Sequence, residues 1–147
     1  MDHKFLPDIA IADIAFEAHG KTFEGLLENC GLAMMDAMSD LSKIRARKKK
    51  KITVVGADEE KLLYNFLEEL VYIKDVDGLL FCKFRATQAD ARQKNTKGLR
   101  MTVECSGDLL GNIGRENLRN DVKAITMHMF KISKTAQGYS ATVVVDI

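Results

Sequence analysis

The sequence predicts an α/β protein of the α+β type: a two-layer sandwich with two main helices on one face of a mixed, mostly antiparallel sheet. Three observations predict it. Two segments carry apolar residues at the spacing of one helix face. Six further segments read as strands, one of them with clean alternation. Apart from Pro7, no proline interrupts the chain, and there is no internal repeat or low-complexity linker.

Taken in order, the first strand is expected over 11–18. A helix follows over roughly 22–38, where Thr22 can cap the amino end and Glu24 opposes the dipole. Phe23, Leu26, Leu27, Cys30, Met34, Ala37 and Met38 make its apolar face. A short strand is expected over 51–55. Asp58 then caps a second helix over roughly 58–74, with Glu59 and Glu60 in its first turn and a stripe of Leu62, Leu63, Phe66, Leu67, Leu70 and Val71. Strands are expected over 79–89, 99–105, 125–133 and 139–147. In 99–105, Leu99, Met101, Val103 and Cys105 alternate with Arg100, Thr102 and Glu104, the period of a sheet with one wet face. Asp77-Gly78 and Gln137-Gly138 supply turns.

The chain has 147 residues, 46% hydrophobic and 29% charged, the balance of one globular domain spanning 1–147 rather than a disordered segment. No apolar run reaches membrane-spanning length, and the amino end lacks a basic-then-apolar signal layout. A cytoplasmic protein with no membrane partner is expected. Cys30, Cys82 and Cys105 are too scattered for a disulfide framework or a zinc site, and read as small buried hydrophobes in a reducing compartment.

The net charge of +1 conceals a strong asymmetry. Seven bases and no acid lie in KIRARKKKK (43–51); without it, 15 bases face 21 acids. Lysines guarding a strand edge against pairing explain such a run. So does contact of Lys48, Lys49, Lys50 and Lys51 with RNA phosphates or an acidic protein partner. Both readings stay open at this stage.

No phosphate loop, HExxH, nucleophile elbow or dinucleotide fingerprint is present. His3, His19 and His128 are scattered and read as structural, and most methionines sit at core spacings. Gly111-Asn112-Ile113-Gly114 matches a four-residue RNA-binding loop pattern, but its flanks are poor helix formers. Two aspartates are harder to place. Asp13 interrupts the apolar run IAIADIAF (9–16), and Asp146 interrupts VVVDI (143–147). Aspartate is depleted in strands, and a buried carboxylate needs hydrogen bonds or a cation. The chain stops at Ile147, so an α-carboxylate is expected one residue beyond Asp146. These hard oxygen donors suit Ca²⁺ or Mg²⁺. The plainer alternative puts both aspartates on the exposed face of edge strands.

Several blocks, in order, resemble the archease family along nearly the whole chain. They are Ala12-Asp13-Ile14, Gly20-Lys21-Thr22-Phe23-Glu24, AMMDAMSDL (33–41), LLYNFLEEL (62–70), VKAIT (122–126) and the terminal Val145-Asp146-Ile147. The resemblance implies a non-enzymatic activator of the GTP-dependent RNA-splicing ligase that joins tRNA halves, promoting its guanylylation and repeated turnover. It also implies a divalent-cation site, Ca²⁺ foremost, on Asp13, Asp146 and the carboxylate of Ile147, with Asp40 a weaker ligand. The family commonly has His-Thr where Ala10-Ile11 stand here, and a tyrosine where Met127 stands, so any contribution of those side chains is missing. Rival readings are a small RNA-binding or chaperone-like module using the 43–51 basic edge, with direct or indirect tRNA contact, and a metal-dependent hydrolase, for which no base or nucleophile is evident.

Overall fold

The computed structural model describes residues 2–6, 13–88 and 98–147. Its elements run β1 (His3–Leu6), β2 (Asp13–Gly20), α1 (Phe23–Met38), β3 (Lys48–Gly56), α2 (Glu59–Asp77), β4 (Leu79–Gln88), β5 (Leu99–Leu109), the single turn α3 (Leu110–Ile113), β6 (Ala124–Thr135) and β7 (Gly138–Asp146). The expected α+β class is found. The strands divide into two sheets, ordered β1-β2-β7-β6 and β3-β5-β4, and the pairings within them are all antiparallel. The two helices bridge these sheets, α1 lying over β2 and β4 and α2 over β3 and β6.

Local chemistry sets the helix ends. The Gly25 N–H donates to Thr22 Oγ1 at 3.1 Å, and the Lys61 N–H donates to Asp58 Oδ1 at 2.8 Å, so both expected caps satisfy a donor of the first turn. At the other end of α2, Gly78 adopts φ 65, the left-handed conformation that closes a helix, and its N–H bonds the Lys74 carbonyl. Two strand-to-helix passages depend on close approach. A Cβ at Gly20 would lie 2.3 Å from the Leu26 nitrogen, and one at Gly56 would lie 2.3 Å from the Leu62 nitrogen.

Every residue assigned to the two apolar helix faces is buried, and the core continues through Phe16, Val143 and Val145 of one sheet and Phe81, Phe84 and Val103 of the other. Phe84 makes edge-to-face contacts with Phe66 and Phe81, each at 5.8 Å, tying α2 to β4. The expected strands are found with shifted ends: β3 reaches back to Lys48 and takes in the lysine run, and β5 extends to Leu109. Ile11 and Ala12, expected to open the first strand, and Ala89, expected to end the third, lie outside the described residues. The four-residue strand β1 was not expected; it pairs His3 to Leu6 with Ala18 to Ala15 along the free edge of β2.

One polar feature of the core was also not expected. Lys74 falls on the buried side of α2, four residues after Leu70, and is 6% exposed. Its ammonium donates to the Asp121 carboxylate and, at 2.6 Å, to the Val122 carbonyl, with Asp75 Oδ1 at 2.9 Å. Three acceptors match its three donors. The result is a clamp from α2 onto the segment 118–123 that leads into β6.

Candidate functional site

β2 and β7 are neighbours at the centre of the four-stranded sheet, and they run antiparallel, so the start of one meets the end of the other. In their register Asp13 stands directly opposite Asp146. Ile14, Phe16, Val143 and Val145 contribute to the core beneath the helices. Strand alternation therefore turns Asp13 and Asp146 together onto the opposite face. Directly opposed residues have Cβ atoms about 4.5–5.5 Å apart, and like charges at that separation destabilise the pair. Both aspartates are half-buried. Neither side chain has a hydrogen-bond or ion-pair partner among the described residues.

The next row of the same face is dry. Ala15 is opposite Val144, which is opposite Thr126 across β6, and Ala15 and Val144 are 1% and 0% exposed. Thr126 Oγ1 is buried there without a hydrogen-bond partner among the described residues. On the other flank the Lys123 N–H donates to the Asp146 carbonyl at 2.8 Å, and Ala124 pairs with Asp146, which completes three strands around the acid pair. Ile147 follows Asp146 with its side chain packed against the core. Just beyond Thr126, β6 bulges out of register until Lys131; Met129 takes φ 61, and Met127 and Met129 are 62% and 49% exposed.

Asp40 has partners of its own. It caps the short turn Leu41–Lys43, its Oδ1 accepting from the Ser42 hydroxyl at 2.7 Å and the Ser42 N–H at 3.0 Å. Those two bonds, with the charges of Arg119 and Lys43, hold its carboxyl below the usual carboxylate range. The segment 118–123 bonds the Met38 carbonyl at one end and the Asp146 carbonyl at the other, joining the neighbourhood of Asp40 to that of the acid pair. Among the described residues no three His, Cys, Asp or Glu side chains gather as a metal-binding group. Of the candidate ligands, the strand register sets Asp13 and Asp146 directly opposite each other. Two opposed aspartates with no counter-charge among the described residues, one row from an orphaned hydroxyl, are a donor set that fits a hard cation.

Lys48 to Lys51 of the basic run lie on β3, at an edge of its sheet, and part of the run's charge is paired within the fold. Lys50 Nζ bonds Asp77 Oδ2 at 2.9 Å, and Arg47 Nε lies 3.6 Å from Asp108. His3 Nε2 contacts Asp36 Oδ2 at 3.1 Å, joining β1 to α1, and His19 Nε2 lies 2.9 Å from Glu17. No helix among the described residues is long and apolar enough to cross a membrane.

The fold and the acid pair define a small α+β protein whose first and last central strands meet in two opposed carboxylates. The Archease protein family (MTH1598/TM1083) matches residues 4–147. Protein archease of Methanosarcina barkeri is 36% identical over 136 residues, covering 92% of this chain and 90% of the relative. Protein archease of Archaeoglobus fulgidus is 35% identical over 147 residues, covering 100% of both. Among solved structures, protein 1598 of Methanobacterium thermoautotrophicum superposes with a TM-score of 0.80 at 29% identity, over 99% of this chain and 98% of that one. An archease of Thermotoga maritima, described as a possible chaperone, gives a TM-score of 0.63 at 18% identity over 97% and 96%, a likeness of fold. The chain belongs to the archease family.

Proposed function

We propose that this protein is a non-enzymatic activator of the GTP-dependent tRNA-splicing RNA ligase, acting through a divalent-cation site on Asp13, Asp146 and the terminal carboxylate of Ile147. Family membership over residues 4–147 supports the assignment of role. The observation that carries the site is the cross-strand register of Asp13 with Asp146. A bound cation, Ca²⁺ foremost, would neutralise the facing carboxylates and fix their geometry. Asp13 and Asp146 present the oxygens, Ile147 anchors the chain end by its packed side chain, and Lys123 holds the Asp146 backbone in place. Asp40, the weaker candidate ligand, also caps its own turn through Oδ1.

The neighbouring bulge of β6 suits the contact. Met127 and Met129 are exposed on the bulge just beyond Thr126, Met129 on strained backbone, and methionine adapts readily to a partner surface. Docking there favours the ligase conformation competent for guanylate transfer. An activator of this kind shifts a population by differential affinity and supplies no reacting group.

The test is a multiple-turnover ligation assay with purified ligase and either the natural chain or Asp146→Asn. The variant is expected to fold and to leave the ligase at its unassisted turnover. Full stimulation by the variant contradicts the proposal.

A further inference from the structure

The order β3-β5-β4 assembles a surface that no single stretch of sequence displays. On β3, Ile52 and Val54 face the core, so Lys49 and Lys51 point outward, whereas Lys50 turns to Asp77 on α2. On β4, Phe84 and Ala86 face the core, so Lys83 and Arg85 point outward. The register aligns these side chains across the sheet. Lys49 and Lys83 both stand opposite Ser106, and Lys51 and Arg85 both stand opposite Glu104. The next row is Thr53, Thr102 and Thr87. Lys49, Lys51, Lys83 and Arg85 are exposed and make no salt bridge among the described residues. They border a shallow depression of about 720 Å³.

We propose that this outward face is a docking surface for the phosphate backbone of RNA. Four cations around one carboxylate leave a strongly positive patch on a protein that is otherwise acidic. Successive rows are about 6.6 Å apart and neighbouring strands about 4.8 Å apart, so the cations form a grid able to meet several phosphates at once. The composition favours nucleic acid over an acidic protein. Protein interfaces draw on aromatic residues and methionine and are depleted in lysine, and the three rows contain only cations, hydroxyls and Glu104. Nucleic-acid interfaces are polar and strongly positive. The hydroxyls of Ser106, Thr53, Thr102 and Thr87 can exchange hydrogen bonds with phosphate oxygens and with the 2′-hydroxyl that marks RNA. With no aromatic ring on the face to stack bases, binding is independent of sequence.

The experiment titrates a folded tRNA transcript with the full chain at 50, 100 and 200 mM salt, by fluorescence anisotropy, with no ligase present. Its outcome is therefore separate from that of the ligation assay. Contact with three or four phosphates predicts a log–log slope near −3, a loss of roughly 60-fold between the lowest and highest salt. Lys83→Ala/Arg85→Ala should weaken binding at low salt by more than about tenfold and flatten the slope by about two. Lys43→Ala/Lys48→Ala removes the same charge off this face and should change little. Equal losses in the two double variants would show that net charge alone is sensed and would overturn the proposal. So would absence of binding at low salt, equal affinity for duplex DNA, or capture of the purified ligase without RNA that Lys83→Ala/Arg85→Ala abolishes.

Discussion

Asp13 and Asp146 are direct cross-strand partners, one opening β2 and the other closing β7, on the face of the sheet turned away from the helices. Two carboxylates in that relation repel unless a positive charge lies between them.

Stability should respond to it in opposite directions with and without cation. In chelator, Asp13→Asn removes the repulsion and should raise stability by about 0.2–1 kcal/mol, a gain of up to roughly 4 °C in Tm for a chain of this size. With millimolar Ca²⁺ the natural chain should overtake the variant. Differential scanning calorimetry in both conditions measures this.

Lys74 clamps the segment whose next residues flank Asp146. Lys74→Ala leaves the Val122 carbonyl without its donor, a cost of about 1–3 kcal/mol, and it frees 118–123 from α2. Urea unfolding should show the loss. Cation affinity should fall as well, since the strand beside Asp146 is no longer held.

Acid should weaken the fold partly through Asp108, which is 2% exposed. The Asn112 amide, then the Leu109 N–H and the nearby Arg47, hold its carboxyl below the ordinary range. A depressed carboxylate contributes stability that is present above its unfolded value, about 3.9, and is lost as pH falls through the folded one. Asp108→Asn should therefore be less stable than the natural chain at pH 7, and the difference should shrink below about pH 4. Thermal unfolding across pH 3–7 follows it.

The three cysteines should be slow to react in the native state. Burial pushes the Cys105 thiol up to about 12 and the Cys30 thiol higher still, and it raises Cys82 as well. Little thiolate exists at neutral pH in such surroundings. A thiol-reactive dye should label Cys30 and Cys105 only on unfolding, with Cys82, at an intermediate depth, reacting first.

Both helices, their caps and their buried faces were legible because the apolar period and the capping residues agree at each end. The acid pair was legible as two aspartates lodged in apolar strands, but their being opposite each other depends on β2 and β7 becoming neighbours, which the period of neither strand specifies. The division into two sheets was hidden for the same reason. β1 was hidden because four residues are too few to show alternation, and it is a strand only because β2 offers it an edge. The lysine run masked the start of its strand: where every residue carries the same charge, Lys49 and Lys51 cannot be told from Lys48 and Lys50 until the sheet gives them faces. Lys74 did leave a signal, a base on the apolar stripe of α2 at a position that must be buried. Asp40, expected as a weaker ligand, stands in a DL helix exit, and that placement also makes it a cap for the turn it precedes.

Isothermal titration of Ca²⁺ into the metal-free chain tests the central claim most directly, with Asp13→Asn and Asp146→Asn titrated alongside. One ion per chain is expected for the natural protein. Each single variant should lose most of that affinity while keeping its circular-dichroism spectrum. A natural chain that takes up no ion, or variants that bind as the natural chain does, would contradict it.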